Sequence, residues 1–384
     1  MAKSRSSTKK KKKSVLKKTI DFFVKSDYHA YLVGGYVRDS TLGRESVDID
    51  VVVEGDGVKI GRELNTKLRG KLTSHAEFGT ATIAIDSHRV DLASARTEKY
   101  PSPAQLPHVY PSTIVEDLNR RDFTINAIAM SISKENFGEI FDPFGGMSDI
   151  KKKMIRILHR NSFIDDPTRI FRALRYKNRF SFKLEDETER LMKEAIAEGM
   201  VDKLSGQRII NELELIFHED SFQQTTEDLA RYGVFQIKRN DLRMMPSSNS
   251  HAFYFFVSRL SKNRIQLPKD VQRIVGDFRV ITDTMSKLSK TNKRSTIYTI
   301  LSPLAMEVVE AIPLIKPELH DKVQSFHNLK KLKPFVKAND LRKYRFIPDK
   351  QYARLLRKIF ALQIDKKLKN RKQALEYIKK LNKK

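Results

Sequence analysis

Val47-Asp48-Ile49-Asp50-Val51-Val52-Val53 is the stretch from which the rest of the chain is read. Its β-branched residues predict a strand. Side chains alternate across a strand, so Asp48 and Asp50 share one face, while Val47, Ile49, Val51 and Val53 share the core face. Two neighbouring carboxylates repel unless a cation lies between them, and hard ions such as Mg²⁺ take such oxygen ligands while bridging phosphates. The plain alternative is an edge strand with its charges in water, and a bare D-x-D pair fits that better. Asp91 weighs against it: it lies among apolar neighbours in Arg89-Val90-Asp91-Leu92, on another predicted strand. If the two strands pair, three carboxylates converge.

Three further segments flank this core. Leu32-Val33-Gly34-Gly35-Tyr36-Val37-Arg38-Asp39 runs from a strand into a helix through two glycines, which let backbone approach a phosphate, with Arg38 adding a charge-assisted bond. Such glycine pairs are also common for steric reasons alone. Arg120-Arg121-Asp122-Phe123-Thr124-Ile125-Asn126 places Arg121 for phosphate and Asp122 for a ribose hydroxyl; helix capping accounts for Asp122 but not for the arginine pair. In Asp165-Asp166-Pro167-Thr168-Arg169-Ile170-Phe171-Arg172-Ala173-Leu174-Arg175, helical spacing gives Arg169, Arg172 and Arg175 one face and the apolar residues the other. Three arginines on one face, with few acids nearby, call for an anion across them.

Around these segments, Ala30–Val33, Val47–Val53, Thr80–Ile85 and Arg89–Ala93 read as strands and Val58–Leu68 as a helix. Ser94–Leu118, with Pro101, Pro103, Pro107 and Pro111, reads as a long loop of the kind that carries function. Asp122–Ile132 reads as a helix and Glu139–Phe141 as a short strand. Beyond Asp149 helical spacing dominates: Pro167–Phe180, Asp186–Glu198, Ser205–Phe217, Phe222–Tyr232, Lys269–Leu288, Tyr298–Ala311, Pro317–Leu329 and Lys350–Ile364. The expected fold is α+β, a small mixed-sheet head followed by a helical neck, body and tail. The boundaries expected are a basic flexible segment over 1–18, head 19–147, neck 148–217, body 218–334 and basic tail 335–384.

Composition narrows the partner. The chain has 384 residues, a formal net charge of +27, no Cys and no Trp. Absence of Cys excludes disulfides, thiolate metal sites and a cysteine nucleophile. No apolar run reaches the roughly 18 residues needed to span a bilayer, and the N-terminus lacks a signal peptide's apolar core, so a cytoplasmic protein without a membrane partner is expected. Residues 1–18 hold nine Lys/Arg and no acid, and residues 335–384 hold seventeen against four. Basic residues concentrated at the ends suit a phosphate backbone, because each neutralised phosphate releases counterions. For Lys9–Lys13 a solvated tail is the simpler reading.

Taken together, the four segments resemble the class II tRNA nucleotidyltransferases (CCA-adding enzymes) and bacterial poly(A) polymerases of the polymerase β nucleotidyltransferase superfamily, in order and spacing from about Tyr31 to Phe217. The resemblance implies that Asp48 and Asp50 hold catalytic Mg²⁺, two ions; Asp91, a third catalytic acid if the strands pair, has the alternative reading of a structural charge at a strand end. It implies that Gly34, Gly35 and Arg38 bind a nucleoside triphosphate, and Arg121 with Asp122 its sugar and phosphates. Asp166 and Arg169 would read the base, supported by Arg172 and Arg175, and Asp142-Pro143-Phe144-Gly145-Gly146 would be a hinge-like turn. A carboxylate beside a guanidinium suits the edges of C and A and presents the wrong polarity to U and G. The implied partners are the tRNA 3′ acceptor end, ATP and CTP, with no obligate protein partner. The rival functions are poly(A) polymerase activity on general RNA and non-catalytic RNA binding.

Overall fold

The computed structural model describes residues 14–44, 49–86, 88–260, 267, 269–344, 346 and 350–381. Asp48, Val47 and the Lys9–Lys13 run lie outside the described residues. The chain forms two compact units, the first ending at Phe235 and the second beginning at Gln236.

The first unit opens with helix α1 (14–24), so helix already begins inside the stretch expected to be a flexible tail, with Val15 buried. The head then runs β1 (Ala30–Val33), α2 (Gly35–Thr41), β2 (Ile49–Val53), α3 (Gly57–Leu68), β3 (Lys71–His75), β4 (Thr80–Ile85) and β5 (His88–Ser94). It continues through β6 (Arg96–Lys99), β7 (His108–Pro111), α4 (Ile114–Asn119), β8 (Ala129–Ser131), β9 (Ile140–Phe141) and α5 (Gly146–Lys152). Seven strands form one mixed sheet in the order β3-β4-β5-β2-β1-β8-β9. The β2–β5 pair is parallel and sets Asp50 opposite Asp91; the other pairs are antiparallel. Ile49, Val51 and Val53 are buried, as is Val52, which packs with Tyr31, Val33, Ile114 and Leu118. Both faces of β2 are thus covered beyond Asp50, which pins its register, since a slip of one residue would exchange the faces.

Two expectations are corrected. Ser94–Leu118 is not a bare loop: β6 and β7 pair as a hairpin and α4 follows. Pro101, Pro103 and Pro107 lie between the two strands and Pro111 closes β7 at its end, where a missing N–H breaks no interior ladder. Asp122–Ile132 is not a helix: Thr124–Asn126 make one 3₁₀ turn and β8 pairs with β1. Long-range pairing decides that segment, and Ala129-Met130-Ser131 is too short a run for an alternation to be read.

Beyond the head, β10 (Met154–Ile155) and β11 (Lys183–Leu184) bracket α6 (Ser162–Asp165) and α7 (Thr168–Phe180). Helices α8 (Asp186–Ala197), α9 (Gly206–Phe217) and α10 (Phe222–Arg231) complete the unit. The described part of the second unit is helical, as expected, but two expected helices are broken. Lys269–Leu288 divides into Lys269–Arg279 and Ile281–Ser289. Tyr298–Ala311 divides into Arg294–Leu301 and Met306–Ile315, bent by 117° around Ser302-Pro303, where proline removes a helical N–H donor. Helix Asn249–Arg259 escapes sequence reading because its run of aromatic and aliphatic residues hides the helical period. Val336, Leu341, Ile359, Leu368, Ala374 and Ile378 form a separate apolar cluster under the basic C-terminal helices. No single helix among the described residues is long and apolar enough to cross a membrane.

Candidate active site

The turn from β1 into α2 is where the site begins. Gly34 has φ +59°, and a Cβ there would lie 2.8 Å from Arg121 Nη1, so a side chain would disturb both the turn and the guanidinium. Arg38, on α2, is buried; its guanidinium pairs with Asp39 at 2.8 Å, donates to Asn126 Oδ1 and stacks over the Phe180 ring at 4.7 Å. Arg121 is held from behind by Asp117 on α4, at 2.9 Å. Asp117 is fully buried and also binds Arg120 at 2.7 Å. Burial alone would raise the Asp117 carboxyl, but the two arginines outweigh it and hold it below the ordinary carboxylate range. The pair Arg120-Arg121 therefore does not repel, since one carboxylate sits beneath both.

Asp122 is the best-satisfied acid of the site. It accepts from Arg172 Nη2 at 2.6 Å and Nε at 2.8 Å, Asn126 Nδ2 at 2.9 Å and the Phe123 amide at 2.8 Å. Burial opposes its ionisation, yet Arg172 and these bonds hold its pKa at about 2. Asp122 is thus occupied with anchoring Arg172 of α7 to the head, fifty residues away in sequence.

The arginine face of α7 is likewise partnered, contrary to the expectation of an uncompensated face. Arg172 pairs with Asp122, and Arg175 pairs with Glu219 at 3.1 Å and lies over the Tyr176 ring at 4.8 Å. Glu212, buried next to both, has its carboxyl pushed up by burial against their opposing charge. These carboxylates come from distant segments, so local sequence could not show them. Arg169 differs. It is buried and donates to Ser162 Oγ at 2.5 Å and to the Arg120 carbonyl at 2.8 Å, and it approaches His159 at 3.4 Å. Among the described residues it has no carboxylate partner. Asp166 receives Thr168 N (3.0 Å), Thr168 Oγ1 (2.6 Å) and Arg208 Nη2 (2.6 Å), all on Oδ1. Its Oδ2 takes none of these bonds.

Most of these groups line one open cavity of about 450 Å³, bounded by Gly34, Gly35, Arg38, Asp50, Arg121, Asp122, Asp166, Arg169 and Arg172. Its size suits a single small ligand. Glu98, Tyr100, Arg120, Asn126, Thr168 and Tyr176 also line it. Glu98 and Tyr100 were missed because their segment reads as a loop, although the spacing Arg96, Glu98, Tyr100 carries a period of two. Tyr100 donates to Glu98 at 3.0 Å, and burial followed by Glu98 raises its pKa. Arg175 and Asp91 do not line the cavity. Asp91, though in register with Asp50, accepts from Thr82 Oγ1 and Arg89 Nε, each at 2.6 Å. No group of three metal-ligating side chains stands together among the described residues, which exclude Asp48.

A strand-borne carboxylate, a glycine turn flanked by anchored arginines, and Asp166 just ahead of Arg169 at the start of α7 face one cavity of an α+β fold, the arrangement that the nucleotidyltransferase resemblance implies. Comparison with known proteins agrees. Residues 30–156 match the poly A polymerase head domain, and residues 181–238 match the family described as the probable RNA and SrmB-binding site of polymerase A. The A-adding tRNA nucleotidyltransferase of Aquifex aeolicus is 45% identical over 207 residues, 54% of this chain and 25% of that protein. The chain thus spans about a quarter of that relative's length. A solved CCA-adding enzyme, apo form II, superposes with a TM-score of 0.78 at 30% identity, covering 94% of this chain and 93% of that one. The Thermotoga maritima CCA-adding enzyme complexed with tRNA gives 0.67 at 28% identity, covering 91% and 90%. The chain belongs to the family of class II CCA-adding tRNA nucleotidyltransferases and poly(A) polymerases.

Proposed function

We propose that this protein is a template-independent nucleotidyltransferase that adds C and A, or the terminal A alone, to tRNA 3′ ends. The observation that carries this reading is the composition of one cavity: Gly34, Gly35, Arg38 and Arg121, groups suited to phosphate, the carboxylate of Asp50, and Asp166 and Arg169 among its lining. In the reaction proposed, the terminal 3′ oxygen bonds to the α-phosphorus of CTP or ATP, the α–β bridge breaks and pyrophosphate leaves. The carboxylate of Asp50, with Asp48 two residues ahead of it in sequence, is an oxygen-only set that fits hard divalent ions, Mg²⁺ by charge and ligand type, while Asp91, in register with Asp50, is held by Thr82 and Arg89. Such ions, two in this reading, would supply activation of the hydroxyl and neutralisation of the leaving phosphates. Arg121, braced by Asp117, and Arg38, braced by Asp39, orient the phosphates. Asp166 Oδ2 accepts from an exocyclic amino group while Arg169 donates to a ring nitrogen, so the protein selects C or A without a nucleic-acid template.

The basic residues 335–384, among them the exposed Arg354, Arg357, Lys358, Lys366 and Lys367, suit the tRNA backbone. We place this activity in the cytoplasm, with the bulk of tRNA. The Aquifex relative, named as A-adding, supports addition of the terminal A.

The test is incorporation of labelled CTP and ATP, separately and together with Mg²⁺, onto tRNA transcripts ending before C74, after C74, after C75 and after A76. Two cytidines then one adenosine, or one adenosine on a CC end, supports the reading. Long adenosine runs on any RNA make the protein a poly(A) polymerase, and no incorporation with intact tRNA binding makes it a binding protein. Asp48→Ala/Asp50→Ala is expected to abolish incorporation and leave tRNA binding nearly unchanged.

A further inference from the structure

We propose that Arg208 is a positioning residue for base selection, fixing the Asp166 carboxylate so that its Oδ2 faces the incoming base. The inference rests on the base-reading role given above to Asp166. Arg208 lies in the first turn of α9, an element that otherwise contributes core: Ile209, Ile210, Leu213, Ile216 and Phe217 are all buried. Its guanidinium turns away from that core and divides between two acceptors. One arm, Nη2, reaches Asp166 Oδ1 at 2.6 Å; the other, Nη1, reaches the Ala104 carbonyl at 2.6 Å. A planar guanidinium held at both arms has little rotational freedom left, so it transmits a fixed direction to whatever it binds.

The division of donors on Asp166 gives that direction its consequence. Thr168 supplies two bonds to Oδ1 from the first turn of α7, and Arg208 supplies the third from across the fold. The Thr168 bonds tie the carboxylate to its own helix; Arg208 approaches from another element and sets the remaining rotation. With three donors saturating one oxygen, the other is the acceptor offered to a ligand. The two oxygens are equivalent, so a half-turn changes nothing; what Arg208 opposes is partial rotation of the carboxylate, which would break its bond. Arg208 also supplies the one ion pair described for Asp166, and its side chain, 24% exposed, is partly shielded from water. The Ala104 anchor is itself constrained: its N–H donates to the Ile164 carbonyl at 3.3 Å and its φ is +63°, a left-handed conformation that a residue with Cβ holds only when surrounding contacts enforce it.

This assigns a specificity effect to a residue that is not itself among those lining the cavity. Arg208→Ala frees the carboxylate to rotate, so acceptor geometry at the base is blurred while the phosphate contacts of Arg38 and Arg121 persist. Arg208→Lys keeps a charge but reaches one acceptor at a time.

The experiment measures kcat/KM for all four nucleoside triphosphates on a tRNA transcript lacking its terminal nucleotide, together with tRNA affinity and thermal melting. For Arg208→Ala the ratio of correct to incorrect nucleotide is expected to fall about tenfold or more, mainly through UTP and GTP gaining relative to the cognate nucleotide, with tRNA affinity unchanged. Arg208→Lys is expected to recover part of that ratio. Equal loss for every nucleotide in both variants, tracking a lowered melting temperature, would make Arg208 merely structural and overturn the inference. Should Arg208→Ala fail to fold, the Lys variant decides alone: an unchanged ratio overturns the inference. Wild-type protein that incorporates nothing refutes the proposed function instead, and the inference falls with it. Wild-type selectivity combined with unchanged selectivity in both Arg208 variants refutes the inference alone.

Discussion

Replacing Asp122 by Asn removes the charge that anchors Arg172 while nearly preserving shape. In the folded protein the Asp122 pKa is about 2, against an ordinary 3.8. At roughly 1.4 kcal/mol per pH unit, ionised Asp122 contributes about 2 kcal/mol of stability. The folded pKa is the depressed one, so this contribution is complete above the unfolded pKa near 4 and disappears as pH falls towards 2. The substitution also strands Arg172, and removing one member of a buried pair costs about 3–5 kcal/mol. Arg172 keeps 32% of its side-chain exposure, towards the cavity, so its stranded charge is partly hydrated and the lower end applies. The expected loss is about 3 kcal/mol at pH 7. For a unit of this size that lowers Tm by roughly 6–12 °C. Melting curves of both proteins between pH 7 and pH 2.5 test it: the gap should be widest at neutral pH and close in acid. A variant melting within about 2 °C of wild type at pH 7, or a gap that persists undiminished at pH 2.5, would refute the electrostatic reasoning.

Three other substitutions probe separate parts of the site. Gly34→Ala forces a Cβ onto a left-handed residue and to within 2.8 Å of Arg121 Nη1; nucleotide KM should rise about tenfold with a stability loss near 1 kcal/mol, read by steady-state kinetics and melting. Gly146→Ala would set a Cβ 2.2 Å from the Thr124 carbonyl oxygen, so chemical denaturation should show a loss of about 3 kcal/mol. Arg169→Ala should relax selection among the four nucleotides by at least about tenfold while tRNA affinity holds, measured as kcat/KM ratios beside a binding isotherm. Equal loss for all nucleotides with weakened tRNA binding would make Arg169 an RNA contact.

How far the sequence could be read depended on where each residue's partners lie. β2, β4 and α3 were legible because a strand's alternation and a helix's period are written within a few residues. The α+β plan and the cluster of arginines on α7 followed from such local patterns, whereas the pairing that brings Asp50 opposite Asp91 stood only as a condition until the sheet order supplied it. What stayed hidden was set at long range. β8 is a strand because β1 accepts it, not because its own residues insist. The arginines of α7 looked uncompensated because Asp122 and Glu219 lie fifty and forty-four residues from their partners. In the turn read as hinge-like, the Asp142 oxygens accept from the amides of Gly146 at 2.6 Å and Met147 at 2.9 Å at the start of α5, across Gly145 in a left-handed conformation, bonds that no residue pattern announces.

Two directional contacts, one at the pocket wall and one behind it, end on main-chain oxygen: Arg169 on the carbonyl of residue 120, and Arg208 on that of residue 104. Every amino acid supplies a carbonyl, so these acceptors survive any replacement that keeps the local backbone path. Across a lineage, position 104 is therefore free to drift without a matching change at 208, and position 120 without one at 169. A survey of coupled substitutions would report both arginines as isolated at these contacts, although each is held there by a short bond.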